Sequence, residues 1–367
     1  MFLSPKTSAD GLVFHYDTGN TVRSYLGEPT VNLLYSAGAY NLIDGATDIY
    51  GRCTKTDLGN GKYRFVNNGT GVSTVRVYTN QGDLINGATY ACSVYYENLV
   101  GGIGIDWCDT GIIGLNYSTN VSGRLGGYGT RGTYDGPYYF LDINFDSGGA
   151  VTLYNPQVEY KSHVTPFVAG TRSATQGLRD LTGNSIIDLT NVSFDANAQM
   201  TFDGTDDTIS VNSYSAIELA DNVSIEYVYM RLSTDPILDV IANKYHSTGW
   251  ELFCQTGNTF ALAGRNGDGT YYATSNAAYT IQNNKYYHLV ANKEGLSWRL
   301  YVNGGLYASL TANSLGTWSN NGILQIGGEG GGYFPNMKLP VFKIYNRALP
   351  ASEIQQNFNA IKGRYGL

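Results

Sequence analysis

Between Lys285 and Leu310 the sequence KYYHLVANKEGLSWRLYVNGGLYASL alternates apolar and polar positions with a period of two. Trp298, Leu300 and Val302 lie on one side and Ser297, Arg299 and Tyr301 on the other, the pattern of a strand with two different faces. Lys285 to Asn292 is a preceding strand, joined through the turn Lys293-Glu294-Gly295. Asn303-Gly304 tolerates positive φ at both central positions of a type I′ turn, so the chain folds straight back through Gly305 to Leu310. The prediction is a meander with Trp298 in the core.

The same period runs through Leu12 to Tyr16, Met200 to Val211 with its Asp203-Gly204 turn, and Asn222 to Arg231, where Val223, Ile225, Tyr227 and Tyr229 share a side. Ile237 to Lys244 and Gly249 to Cys254 continue it, and Leu262 to Tyr272 reads as a hairpin around Asn266-Gly-Asp-Gly269. Met337 to Asn346 is a further buried strand. The periodicity then changes to that of a helix: Ile354, Phe358 and Ile361 lie along one face, Ser352 with Gln355 has capping-box spacing, and Gly363 is a stop. The middle of the chain is also strand-like: Tyr63 to Val66, Val72 to Tyr78, Thr89 to Tyr96, Tyr138 to Phe145 and Val151 to Tyr160, separated by Asn- and Gly-rich turns.

The ending "HLVANKEGLSWRLYVNGGLYAS…LQIGG…VFKIYNRALPASEI" resembles the laminin-G-like, concanavalin-A-type lectin/glucanase jelly rolls, above all those of tailed-phage virion proteins. In those proteins an opening like Gly11-Leu-Val…Asp17…Gly19-Asn20…Ser24-Tyr25 leads almost directly to a segment like Asp180-Leu-Thr-Gly-Asn184, which here follows about 150 residues later. The resemblance therefore implies an insertion, with a tandem arrangement as the alternative. Residues 1–30 plus 172–367 form a discontinuous laminin-G-like jelly roll, and residues 31–171 an inserted β-sandwich. The stretches around Ala88 to Tyr96 and Val151 to Thr171 resemble carbohydrate-binding-module jelly rolls. The expected fold is all-β: two antiparallel jelly-roll sandwiches, one in a loop of the other, and a short C-terminal helix. Splicing at a loop is tolerated because closure entropy grows slowly with length.

Composition narrows the function. Charged residues make up only 14%, while Gly (46) and Tyr (31) are abundant, which suits short strands and tight turns. The net charge of −7 with no basic cluster argues against nucleic acid. No apolar run of about 18 residues predicts a membrane span, and the N-terminus lacks the pattern of a signal peptide. Cys53, Cys92, Cys108 and Cys254 show no metal-binding spacing and read as buried thiols, a Cys92 to Cys108 bridge being the alternative.

Catalytic motifs are missing. The E-x-D-x-x-E pattern that sets two carboxyls about 5 Å apart for retaining glycoside hydrolysis does not occur, and Glu226 has Ser224 and Val228 at its flanking same-face positions. The four histidines do not cluster. No enzyme activity is expected. Sugars are held by aromatic faces with Asn, Asp and backbone groups on their hydroxyls, so the carbohydrate-binding candidates are Trp107, Tyr128, Tyr134, Tyr245, Trp250, Asn266, Asp268, Tyr271, Tyr272 and Trp318. His246, Arg131, Tyr138 and Tyr333 sit in the same predicted loops. No cofactor is expected; a structural calcium at Asp203, Asp206 and Asp207 is weighed against a plain acidic turn.

The phage resemblance implies a virion surface protein, made in the host cytoplasm, that serves as a fibre, appendage or decoration component and adheres to host-surface glycans through loop aromatics. Its implied partners are other virion proteins and copies of itself, for example as a trimer. The alternatives are a structural capsid or tail cement protein without a ligand and a capsular polysaccharide depolymerase.

Overall fold

A computed structural model describes residues 6–35, 46–48, 50–79, 85–107, 116–132, 139–195, 197–212, 214–218, 221–233, 238–245, 249–255, 259–265, 270–274, 281–313, 318, 321–329 and 332–367. The chain divides into two compact units: a terminal unit of Met1–Glu28 with Ala174–Leu367, and a central unit of Pro29–Ser173.

In chain order, β1 (Leu12–Asp17) belongs to the terminal unit. The central unit contains β2 (Thr30–Val31), β3 (Thr47–Asp48), β4 (Cys53–Asp57), β5 (Tyr63–Asn67), β6 (Ser73–Thr79) and β7 (Thr89–Val100). It continues with β8 (Ile103–Trp107), β9 (Asn116–Ser118), β10 (Gly123–Thr130), β11 (Tyr139–Phe145), β12 (Ala150–Glu159) and β13 (Thr171–Arg172). The terminal unit resumes with β14 (Ile187–Thr190), β15 (Ser193–Phe194), β16 (Met200–Asp203), β17 (Thr208–Val211), β18 (Asn222–Arg231), β19 (Leu238–Tyr245) and β20 (Gly249–Gln255). Then follow β21 (Thr259–Arg265), β22 (Tyr271–Thr274), β23 (Tyr286–Glu294), β24 (Ser297–Val302), β25 (Gly305–Thr311), β26 (Leu324–Ile326), β27 (Asn336–Tyr345) and α1 (Ala351–Tyr365).

In the terminal unit an eight-stranded sheet runs β15-β16-β27-β18-β23-β24-β25, with β1 also on β27, and a seven-stranded sheet runs β14-β17-β26-β19-β20-β21-β22. Their inner faces share one core. Val223, Ile225, Tyr227 and Tyr229 of β18 all point into it, as their alternation requires, and so does Trp298. Each such fully buried large side chain is worth roughly 1.5–3 kcal/mol of transfer free energy. The β24–β25 turn has Asn303 at φ 50° and Gly304 at φ 80°, with Val302 opposite Gly305, as the Asn-Gly pair predicts. Met200 to Val211 is no hairpin, because β16 and β17 lie in different sheets and Asp203-Gly204 carries the chain between them.

The outer face of the eight-stranded sheet is covered by α1. Ile354 packs with Val290, Tyr301, Tyr345 and Leu349, and Ile361 with Val228 and Val341. The predicted capping box does not form. Pro350 occupies the N-cap position with no side-chain hydrogen bond, so Ser352 lies inside the helix, and the stop is Gly366 in the left-handed region rather than Gly363.

The central unit is a second sandwich, of sheets β10-β7-β12-β5-β4 and β3-β6-β11-β8-β9. Tyr90, Cys92, Val94 and Tyr96 of β7 meet Val75, Val77, Ile103, Ile143 and Phe145 of the facing sheet in its core. A bulge in β12, with Asn155 at φ 50°, shifts the alternation by one residue and keeps Val158 inside after Val151 and Leu153. Its entry and exit are fastened together. β2 pairs with β13, and Asn32 donates to the carbonyls of Pro156 (3.0 Å) and Val168 (3.1 Å). Glu159, 1% exposed, accepts from Thr30 Oγ1 (3.0 Å), Gln157 Nε2 (2.7 Å), Thr165 N (2.8 Å) and Thr165 Oγ1 (2.7 Å). Glu159→Ala strands four buried donors and is expected to cost about 3 kcal/mol. In the full chain, hydrogen exchange should accelerate within residues 29–173 and stay unchanged in 174–367; equal acceleration in both would show that the clamp is not local to the central unit.

Candidate functional site

The sequence-derived candidates do not converge on one place. Trp250 and Trp318 are corrections: both are buried in the terminal core and have no face to offer a sugar. Trp250 shares the inward side of β20 with Leu252 and Cys254, and Trp318 stacks edge-on against Trp298 at 4.8 Å. Gly264 fits beside this pair because a Cβ there would come within 2.6 Å of the Gly249 carbonyl and 3.0 Å of Trp318 Nε1. Tyr272 is half-buried against Trp298 at 5.6 Å, whereas Tyr271, next to it on β22, is exposed with the Arg265 guanidinium 5.6 Å from its ring. Trp107 ends β8 opposite Leu141, and Tyr245 ends β19 opposite Gly249; their side chains lie outside the described residues. Tyr134, Tyr138, His246, Asn266, Asp268 and Cys108 also lie outside them. Arg131 is buried rather than displayed, and Tyr333 is exposed. Cys53 and Cys254 are free thiols, Cys254 buried.

Tyr128, 56% exposed, is on a strand, not a loop, and the strand gives it company. β10 is the edge of the five-stranded sheet, paired along its length with β7. On the outer face Arg124 opposes Tyr95, and Tyr95 opposes Tyr154 across β7 and β12. The Arg124 guanidinium lies 5.0 Å over the Tyr95 ring, the Tyr95 and Tyr154 rings are 5.6 Å apart at 30°, and Lys62 Nζ lies 4.5 Å over Tyr154. This row of cation, ring, ring, cation spans three strand spacings, about 14 Å. Lys62 is held by both oxygens of Glu97 at 2.8 and 2.9 Å, and Arg64 Nη1 donates to the Asn98 carbonyl. None of Arg124, Tyr95, Tyr154 or Lys62 stands out in the sequence. The signal is cross-strand register, which a single strand does not carry.

Two acidic groups bear on metal binding and catalysis. The carboxylate oxygens of Asp203, Asp206 and Asp207 lie within 4.8 Å of one another, and this is the metal-sized group among the described residues. Asp207 already accepts the Asp203 amide at 2.7 Å, and burial together with the charges of Asp203 and Asp206 pushes its carboxyl up to about 6. Calcium could be held there only with ligands beyond these three. On the outer side of the seven-stranded sheet, Glu251 hydrogen bonds to Glu329, and burial and the Glu329 charge push it up to about 7. The sequence pattern missed this pair. Two carboxyls in direct hydrogen bond stand closer than the about 5 Å that a retaining acid and nucleophile keep across a glycosidic bond.

With this geometry in place, comparison with known proteins bears on the fold. Residues 203–355 match the model described as the concanavalin A-like lectin/glucanases superfamily. The terminal unit has that lectin-type jelly-roll fold. Among solved structures, the chain is similar to the binding domain of Paraclostridial Mosquitocidal Protein 1, at 18% identity and TM-score 0.44 over 50% of this chain and 49% of that one. It is similar to the receptor binding domain of botulinum neurotoxin D, at 18% identity and TM-score 0.43 over 53% and 51%. A third is the botulinum neurotoxin serotype D ligand binding domain in complex with N-acetylneuraminic acid, at 16% identity and TM-score 0.43 over 51% and 49%. The chain spans about half the length of these structures. No curated protein sequence matches it significantly. No helix among the described residues is long and apolar enough to cross a membrane.

Proposed function

We propose that the protein is a non-enzymatic glycan-binding adhesin, carried on the surface of a tailed-phage virion as a homo-oligomer, and that the outer face of the five-stranded sheet is its binding surface. The observation that carries the reading is the row Arg124, Tyr95, Tyr154, Lys62 with Tyr128 exposed on the same face. Ring surfaces cover the C–H faces of a sugar, while Arg, Lys and Glu groups beside them take hydroxyls. The lectin-type fold of the terminal unit and the phage-like ending of the sequence support the setting. The test is a glycan array with the full chain. Tyr95→Ala, Tyr154→Ala and Tyr128→Ala should each weaken binding by about 3- to 10-fold, the worth of one aromatic contact. Unchanged binding in all three folded variants would refute the site. The purified protein should also compete with phage particles for the host surface.

A cement role without a ligand is favoured by Val22 and Ile186, 82% and 69% exposed on the segments that meet where Arg179 donates to the Ser24 carbonyl and bridges Ile186. A particle reconstruction with these side chains against a capsid or tail neighbour, and with the Tyr128 face covered, would favour it.

A further inference from the structure

We propose that this face selects acidic glycans, with Arg124 receiving the carboxylate of a uronic or sialic acid. The inference rests on the reading of the face as a glycan site. Of the cations around the row, Lys62 is committed to Glu97, and Arg64 to the Asn98 carbonyl and Thr152 Oγ1. Arg124 differs. It donates to Ser93 Oγ at 2.7 Å and lies over Tyr95, but among the described residues no carboxylate comes within ion-pair distance of it.

The carboxylate that most nearly serves it, Glu159, is already saturated by its four donors from Thr30, Gln157 and Thr165. A second cation, Arg172, lies close enough to oppose Arg124 and spends its own Nη2 on the Pro166 and Phe167 carbonyls. Burial, and after it the Arg172 charge, pushes the Arg124 guanidinium down from its ordinary pKa, against the opposing influence of Tyr95 and Glu159. A half-buried cation without a counter-charge is costly, and a planar donor fork is the group best shaped to take a carboxylate through two parallel hydrogen bonds.

The surroundings fit a sugar acid better than a free anion. Tyr128 stands on the same face four residues along β10, roughly 13 Å away, far enough for a neighbouring sugar in an oligosaccharide to lie on it. Between them Val164 packs over Gly126, its methyl 2.7 Å from where a Cβ would stand, so the ground between the two contacts is apolar. The chain as a whole carries −7, so it repels polyanions in general and attraction depends on the local charge of Arg124.

The experiment is calorimetric titration of the full chain with matched pairs, oligogalacturonate against its methyl ester and sialyllactose against lactose, at 50 and 300 mM NaCl. The wild type should prefer the acidic member of at least one pair by 10-fold or more, with the preference shrinking at high salt. Arg124→Gln should abolish the preference for the acidic member of the pair, whatever it does to the neutral one, and Arg124→Lys should keep part of the preference without the fork. The wild-type comparison of ligands needs no variant and so survives a misfolded one. Equal binding of the acidic and neutral members in every pair that binds would overturn the inference and leave the glycan reading standing. Binding of neither member of either pair by folded protein, with an empty glycan array, would overturn both.

Discussion

Replacing Glu226 with Ala is expected to cost about 3–5 kcal/mol and to release the C-terminal helix. Glu226 is fully buried between β18 and α1. Its Oε1 takes Lys343 Nζ at 2.8 Å, with His288 Nε2 at 3.3 Å, and its Oε2 takes Asn357 Nδ2 at 2.6 Å and the Tyr345 hydroxyl at 3.2 Å. Burial alone would raise the carboxyl's pKa; the Lys343 charge and the hydrogen bonds of His288 and Lys343 overcome it and hold the group far below the usual carboxylate range. Removing Glu226 leaves Lys343, 2% exposed, as an uncompensated buried charge, and takes away the acceptor that Asn357 brings from the helix. Lys343→Met should be destabilising by a similar amount. The double variant Glu226→Met with Lys343→Met should recover most of the loss, because the cost lies in stranding one ion and not in losing the pair. Urea unfolding measures the three variants, and protease sensitivity of residues 351–365 reports helix release. Additive losses in the double variant would contradict the account.

That network also marks where the sequence was readable and where it was not. The inward alternation of Val223, Ile225, Tyr227 and Tyr229 is a local property, and the fold follows it. The opposite side of the same strand, Ser224, Glu226 and Val228, carries no local sign of burial, yet α1 covers it, and only tertiary packing can say so. Asn303-Gly304 was legible because a type I′ turn is decided by its own two residues. β10, GRLGGYGT, was not. Its glycines suppress any period-2 signal, and it is a strand because β7 supplies the hydrogen-bonding partner. The same limit hid the binding face, since Arg124, Tyr95, Tyr154 and Lys62 come from separate segments and meet only through register. Trp250 and Trp318 failed for the reverse reason. Large aromatics in turn-rich sequence suggest ligand contact, but a sandwich of this size needs them to fill the space between its sheets.

Acid should weaken the terminal unit through His15, and a His15→Gln variant should be insensitive to that part of the change. His15 sits on β1 opposite Lys343, with Asp17 beside it on β1, Glu226 on β18, and Asp180, whose Oδ1 accepts the His15 backbone amide at 3.0 Å. Burial, then the Lys343 charge, lowers the imidazole to about 4, more than the three carboxylates restore. Between its unfolded value near 6.5 and its folded value near 4 the unfolded chain therefore binds more protons, and stability falls as pH falls through that window. Glu226, depressed by its partners, adds a loss in the same direction once pH drops below its unfolded value of 4.5. Asp207 and Glu251 act oppositely: raised to about 6 and about 7, they favour the folded state more as pH falls. The wild-type curve sums these opposing contributions, so the informative quantity is the difference between wild type and His15→Gln in unfolding free energy at pH 7 and at pH 4.5. That difference should shift against the wild type by on the order of 2 kcal/mol on acidification. An unchanged difference across the window would mean that His15 takes up its proton as readily in the folded protein as in the unfolded chain, and that the Lys343 row tolerates a second positive charge.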